Sequence, residues 1–181
     1  MNSKILGVML LGASLMLGAT KEPKPAPGTD EAIATKVRHE VLTYSRYTIW
    51  DEIGFRVNHG QVELTGAVSQ PFKKSDIEHI VRDIPGVVSV SDEIKVLPLS
   101  DFDNRLRLQV ARAIYRDPMF TRYAMEALPS IHIIVDNGRV TLSGVVVTQM
   151  EKQIAGMRAS SSMSFGQVVN NLQVENPAEK S

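Results

Sequence analysis

A chain of 181 residues with 20 basic and 20 acidic side chains has no net charge, which removes any global electrostatic case for binding nucleic acid. Hydrophobic residues make up 43% of the chain, enough for ordinary globular cores, and the length suits one mid-sized domain or two small ones. The absence of cysteine excludes disulfides, thiolate catalysis, cysteine-rich zinc sites and a lipidated N-terminal cysteine.

Residues 1–19 read as a secretory signal: Lys4 supplies the positive start, Ile5 to Leu17 an apolar stretch, and Gly18-Ala19 a small-residue cleavage site. The stretch is about thirteen residues against the roughly twenty of a spanning helix, so cleavage and release into the periplasm are expected. A short retained anchor is the alternative. Residues 20–29 are rich in proline and poor in apolar side chains, which predicts an extended tether.

From Asp30 onward, apolar residues at Ile33, Val37 and Val41 mark an amphipathic helix, with Asp30 as the expected N-cap. Ile53, Phe55 and Val57 alternate as a strand, His59-Gly60 supplies a two-residue turn, and Val62, Leu64, Gly66 and Val68 form the return strand. Ile77, Ile80, Val81 and Ile84 predict the buried stripe of a second helix, which Pro85-Gly86 stops before a last strand over 87–96. After Pro98 to Ser100 the order repeats. Leu106, Val110 and Ile114 predict a helix capped by Asp101 or Asp103; Asn137-Gly138 a turn; Val140, Leu142, Gly144 and Val146 a strand; and Met150, Ile154 and Met157 a thinner helix.

The repetition is the decisive feature. Val62-Glu63-Leu64-Thr65-Gly66 recurs 78 residues later as Val140-Thr141-Leu142-Ser143-Gly144, and the first helices match at an offset of 73. The second copy therefore carries five extra residues between its first helix and first strand. The fold class is α+β: two tandem αββαβ modules, residues 30–98 and 101–175, followed by a tail at 176–181. Each is a small mixed sheet with two helices on one face, its last strand parallel to its second. Gly66 and Gly144 fall on the inward parity, where a missing side chain would let a helix backbone approach. Asp92 and Asn170 share that parity, which predicts a bulge.

These residues resemble the BON domain family: a valine, a turn ending in glycine, V-x-L-x-G, a helix, and a closing strand. Copy one carries the pattern at Val57, Gly60, Val62, Leu64, Gly66, Gly86, Val87, Val90, Ile94 and Val96. Copy two carries it at Val135, Asn137, Gly138, Val140, Leu142, Gly144, Val168, Leu172 and Val174. It departs at Ser160 to Gly166, where a polar run predicts a longer and looser connection. The resemblance implies a non-enzymatic, exported envelope protein of the two-domain kind, acting in stress response or envelope integrity, with phospholipids or other proteins as partners.

Searching for chemistry gives little. His39, His59, His79 and His132 lack metal-ligand spacing, with His132 expected on the solvent face of a strand, and no nucleophile or phosphate-loop motif is present. Asp51-Glu52 and Asp92-Glu93 read as solvated edges, since strand neighbours face opposite ways. No catalytic residue, metal, cofactor, small-molecule substrate or nucleic-acid partner is expected.

Charge is nonetheless uneven. Residues 30–99 hold eight basic and eleven acidic side chains, residues 101–174 eight and six. Arg105, Arg107, Arg112, Arg116 and Arg122 cluster with only Asp117 among them, interleaved with Tyr115, Met119, Phe120 and Tyr123. Arginine pairs with phosphate, and aromatic rings suit a water–hydrocarbon boundary, so this stretch is the candidate surface for an anionic phospholipid surface. A solvated helix face or contact with an envelope protein are the competing readings. In copy one, the matching stretch Tyr44 to Trp50 has aromatics without an arginine cluster and is expected in a core or between modules.

Overall fold

The computed structural model describes residues 28–163 and 166–175. The signal, nearly all of the tether and the tail at 176–181 lie outside the described residues. Module 1 comprises α1 (Asp30–Thr43), β1 (Glu52–Asn58), β2 (Gln61–Val68), α2 (Pro71–Arg82), β3 (Ser89–Asp92) and β4 (Lys95–Val96). Module 2 comprises α3 (Asp101–Tyr115), a 3-10 turn (Pro118–Phe120), α4 (Thr121–Ala124), β5 (Ile131–Asp136), β6 (Arg139–Val146), α5 (Gln149–Ser161), β7 (Gln167–Asn170) and β8 (Gln173–Val174). In each module an antiparallel hairpin receives the last strand in parallel beside its second strand. The hairpin turns sit at positive φ, 50° and 75° for His59-Gly60 and 50° and 78° for Asn137-Gly138, as a two-residue turn on a right-twisted hairpin requires.

The helix caps differ from expectation. Thr29 and Ser100 cap α1 and α3 with their hydroxyls, one residue ahead of the predicted aspartates. Asp30 instead accepts the backbone N–H groups of His59 and Gly60, and Asp103 those of Asn137 and Gly138. Each first helix thereby clasps its own hairpin turn, and the Gly60 and His59 donors hold Asp30 below the ordinary carboxylate range.

Ile33, Val37, Val41, Val62, Leu64, Val68, Ile77, Val81, Ile84 and Ile94 form the module 1 core. Ile80 is only half buried. In module 2 the stripe of α5 is Ala155 and Ala159, whereas Met150 and Met157 are exposed, contrary to the sequence reading. A capping box between Thr148 and Glu151 fixes where α5 starts and so sets its phase, turning the alanines inward. The connection before β7, residues 162–166, is no longer than its counterpart at 83–88, because α5 runs on to Ser161.

Two further expectations are corrected. At Gly66 and Gly144, φ is 105° and 103°, and an added Cβ would lie 2.1 Å from the Glu52 carbonyl and 1.9 Å from that of Ser130. The crowding comes from the neighbouring strand, not from a helix. Asp92 and Asn170 cause no bulge: the pairing offset is the same before and after them. Asp92 Oδ1 accepts the Ile94 N–H and Asn170 Oδ1 that of Leu172, tight side-chain turns that interrupt the strand without shifting its register.

Within residues 44–51, Tyr44 and Tyr47 pack on the module 1 core, whereas Ile49, Trp50 and Asp51 meet module 2. Ile133 N–H donates to the Ile49 carbonyl at 2.7 Å, Trp50 packs on the module 2 core, and His132 Nδ1 lies 2.6 Å from the Asp51 carbonyl. His132 is therefore at the junction and not on a solvent face; burial holds its pKa below the usual value, against the opposing pull of Asp51 and Glu52. Ala67, Leu97 and Ile134 form a small core across the modules, and Lys95 pairs with Asp136.

The buried Asp51 also departs from the solvated reading. It is wholly inaccessible, pairs with Lys73 at 2.6 Å, and accepts bonds from Ser69 and Thr48. Lys73 opens α2, and 78 residues later Glu151 opens α5, where it pairs with Arg122 from the module 2 loop. Both modules anchor the same loop to the same helix turn through an ion pair, with the signs exchanged.

Candidate functional site

The arginine stretch divides when folded. Leu106, Val110 and Ile114 face the core, so α3 turns Arg105, Leu108 and Arg112 outward, with Arg116 exposed at its C-cap. Among the described residues these three arginines form no ion pair. Arg112 and Arg116 line an open cleft of about 500 Å³ between α3 and α5, together with Asp117, Arg158, Ser161 and Ser162. Arg158 pairs there with Asp117 at 2.7 Å.

The other predicted residues make contacts within the fold. Arg107 is 5% exposed; its guanidinium donates to Asn104 Oδ1 and to the Val135 carbonyl at 3.0 Å. The Tyr115 hydroxyl donates to the Ile131 carbonyl. With Ile49 on Ile133, these bonds close the outward edge of β5, whose carbonyls and N–H groups would otherwise lack partners. That edge explains why an arginine and a tyrosine stand on the inner flank of α3. Phe120 and Tyr123 are buried in the module 2 core, and Met119 packs on it. Arg122 stacks on the Tyr123 ring at 4.8 Å and pairs with Glu151. The expected aromatic fringe at a water–hydrocarbon boundary is thus absent, because the five-residue insertion folds Phe120 and Tyr123 inward to close the core.

The family model for the BON domain matches twice, at residues 29–98 and 103–176. The chain belongs to the BON domain family. BON proteins are typically periplasmic or envelope-associated and generally non-catalytic, and the domain serves as a binding module for membranes or proteins. No curated protein matches the chain. Among solved structures, one of CdsD, a structural protein of the type III secretion system of Chlamydia trachomatis, is 11% identical over 82% of this chain and 95% of its own, with a TM-score of 0.30. The CdsD C-terminal domain is 12% identical over 78% and 96%, with a TM-score of 0.28.

The helical layers of the two BON modules differ electrostatically. On α1 and α2, Lys36, Arg38, Lys73, Lys74 and Arg82 are matched by Asp30, Glu31, Glu40, Asp76 and Glu78. On α3 and α5, Asp103 and Glu151 are buried, leaving Asp101 as the exposed acid beside Arg105, Arg112, Lys152 and Arg158. The second BON module accordingly presents a basic outer face.

Among the described residues, no group of three or more His, Asp or Glu side chains could hold a metal ion, and no helix is long and apolar enough to cross a membrane. The buried pair of Asp51 and Lys73 escaped sequence reasoning because its members are 22 residues apart and Asp51 looks like any loop aspartate. The one available signal was the exchange of Lys73 for Glu151 between otherwise matching helices.

Proposed function

We propose that this protein is an exported, non-enzymatic envelope adaptor whose second BON module docks on anionic phospholipid surfaces through the outer face of α3 and α5. Residues 1–19 would direct export to the periplasm. The observation that carries the reading is the set of Arg105, Arg112 and Arg116, unpaired and exposed along one helix face. Guanidinium groups pair bidentately with phosphate, and each basic residue near such a surface contributes on the order of 1 kcal/mol. Three together correspond to roughly a hundredfold in affinity.

Sedimentation of the protein with vesicles tests this. Binding is expected to need anionic lipid, to weaken with salt, and to fall about a hundredfold when Arg105, Arg112 and Arg116 are replaced by serine. Binding that tolerates the replacement, or no binding to any vesicle, would move the assignment to an envelope protein partner and leave the arginines as a solvated face.

A further inference from the structure

We infer that the end of module 2 opposite its hairpin turn, formed by Met125, Val145, Val147 and Met150, inserts into the bilayer surface when the arginine face docks; this rests on the phospholipid reading above. All four side chains are exposed, Met125 by 82% and Met150 by 61%. Hydrogen bonds bring their segments to one place. The Val147 N–H donates to the Tyr123 hydroxyl, the Val145 N–H to the Ser130 carbonyl, and the Ser130 hydroxyl to the Val145 carbonyl. Isolated exposed apolar residues are ordinary; four on segments held together at one end of a module are not.

The repeat gives the comparison that makes this tip unusual. In module 1 the same loop, residues 44–51, is an interaction element: Ile49 and Trp50 are spent on the edge and core of module 2. In module 2 the longer loop instead leaves Met125 exposed to solvent. The tip also lies at the arginine end of α3. Asp103, in the first turn of α3, binds the hairpin turn, whereas Tyr115, at its end, binds Ile131 at the start of β5. Arg116, next in the chain to Tyr115, therefore lies at the same end of the module as the tip, with Arg112 one helical turn behind it beside Arg158, and this positive charge favours an anionic bilayer over a neutral apolar partner. The loop carries two carboxylates, and both are engaged: Asp117 pairs with Arg158, and Glu126 accepts the Ser130 N–H.

The chain has no cysteine, so Met125→Cys takes a single environment-sensitive fluorophore. With phosphatidylglycerol-containing vesicles, the label is expected to shift to the blue and to be quenched by brominated acyl chains. A label at Ser75→Cys on α2 should not respond. In parallel, the double variant Met125→Asp, Met150→Asp should bind at least tenfold more weakly while keeping the salt dependence of the original chain. The triple arginine variant should instead lose that salt dependence. Both methionines are exposed, so an unchanged melting temperature is expected and confirms folding. Sedimentation with vesicles while the label stays unshifted and the aspartate variant binds normally would overturn insertion and leave surface docking standing. No binding to either anionic or neutral vesicles would overturn docking and insertion together, and give the tip to a protein partner.

Discussion

Replacing Lys73 by Met isolates the ion pair that anchors the module 1 loop. Lys73 Nζ is 2.6 Å from Asp51 Oδ2 and 3.0 Å from Ser69 Oγ, and both charged side chains are almost wholly out of water. Removing one member of such a pair costs about 3–5 kcal/mol, because the other charge stays buried without its counter-ion. Asp51 keeps four donors, the N–H and hydroxyl groups of Thr48 and Ser69, so the lower end, about 3 kcal/mol, is expected. For a module of this size that lowers the melting temperature by roughly 12–24 °C. Thermal and urea unfolding followed by circular dichroism measures it. Adding Asp51→Asn removes the orphan charge but sets its amide NH2 against the backbone N–H of Thr48 or Ser69, so partial recovery and a combined effect smaller than the sum are expected. A loss below about 1 kcal/mol at neutral pH, or effects of the two substitutions that simply add, would refute the account. The same pair sets a pH dependence. Burial alone would raise the Asp51 pKa, but the Lys73 ammonium and the Ser69 and Thr48 bonds outweigh it and hold it below 3.8. Its stabilisation is therefore present above that value and is lost as pH falls through the lower folded-state pKa.

Gly144→Ala should destabilise module 2 by about 2 kcal/mol or more, since the left-handed backbone penalises any Cβ and this one would strike the Ser130 carbonyl; denaturant midpoints test it, and a loss under about 0.5 kcal/mol would refute it. His132 is held neutral by burial at the junction, with its folded pKa below 6.5. Stability is then complete above 6.5 and declines as pH falls through the lower folded value, because the unfolded chain takes up the proton first; His132→Gln should flatten that part of the stability–pH curve.

The two modules are legible in the residues alone. Two in-register copies of V-x-L-x-G, two glycine turns and two sets of helix positions spaced by four fixed the element order, the sheet partners and the family. These signals are local: a turn needs positive φ at adjacent residues, and a helix shows its buried face every three or four. The same local logic placed Arg105, Arg112 and Arg116 on an outer surface. It failed wherever a side chain answers to a distant strand. Arg107 and Tyr115 lie on the inner flank of α3 because the β5 edge needs donors there, and Asp51 is buried because Lys73 meets it across a loop. Phe120 and Tyr123 went inward because five inserted residues closed the core, and His132 met Asp51 only when the modules packed. Partners for buried polar groups are chosen in three dimensions, among groups that chain distance does not reveal, and so the tertiary structure alone decided which of the predicted residues remain free to bind.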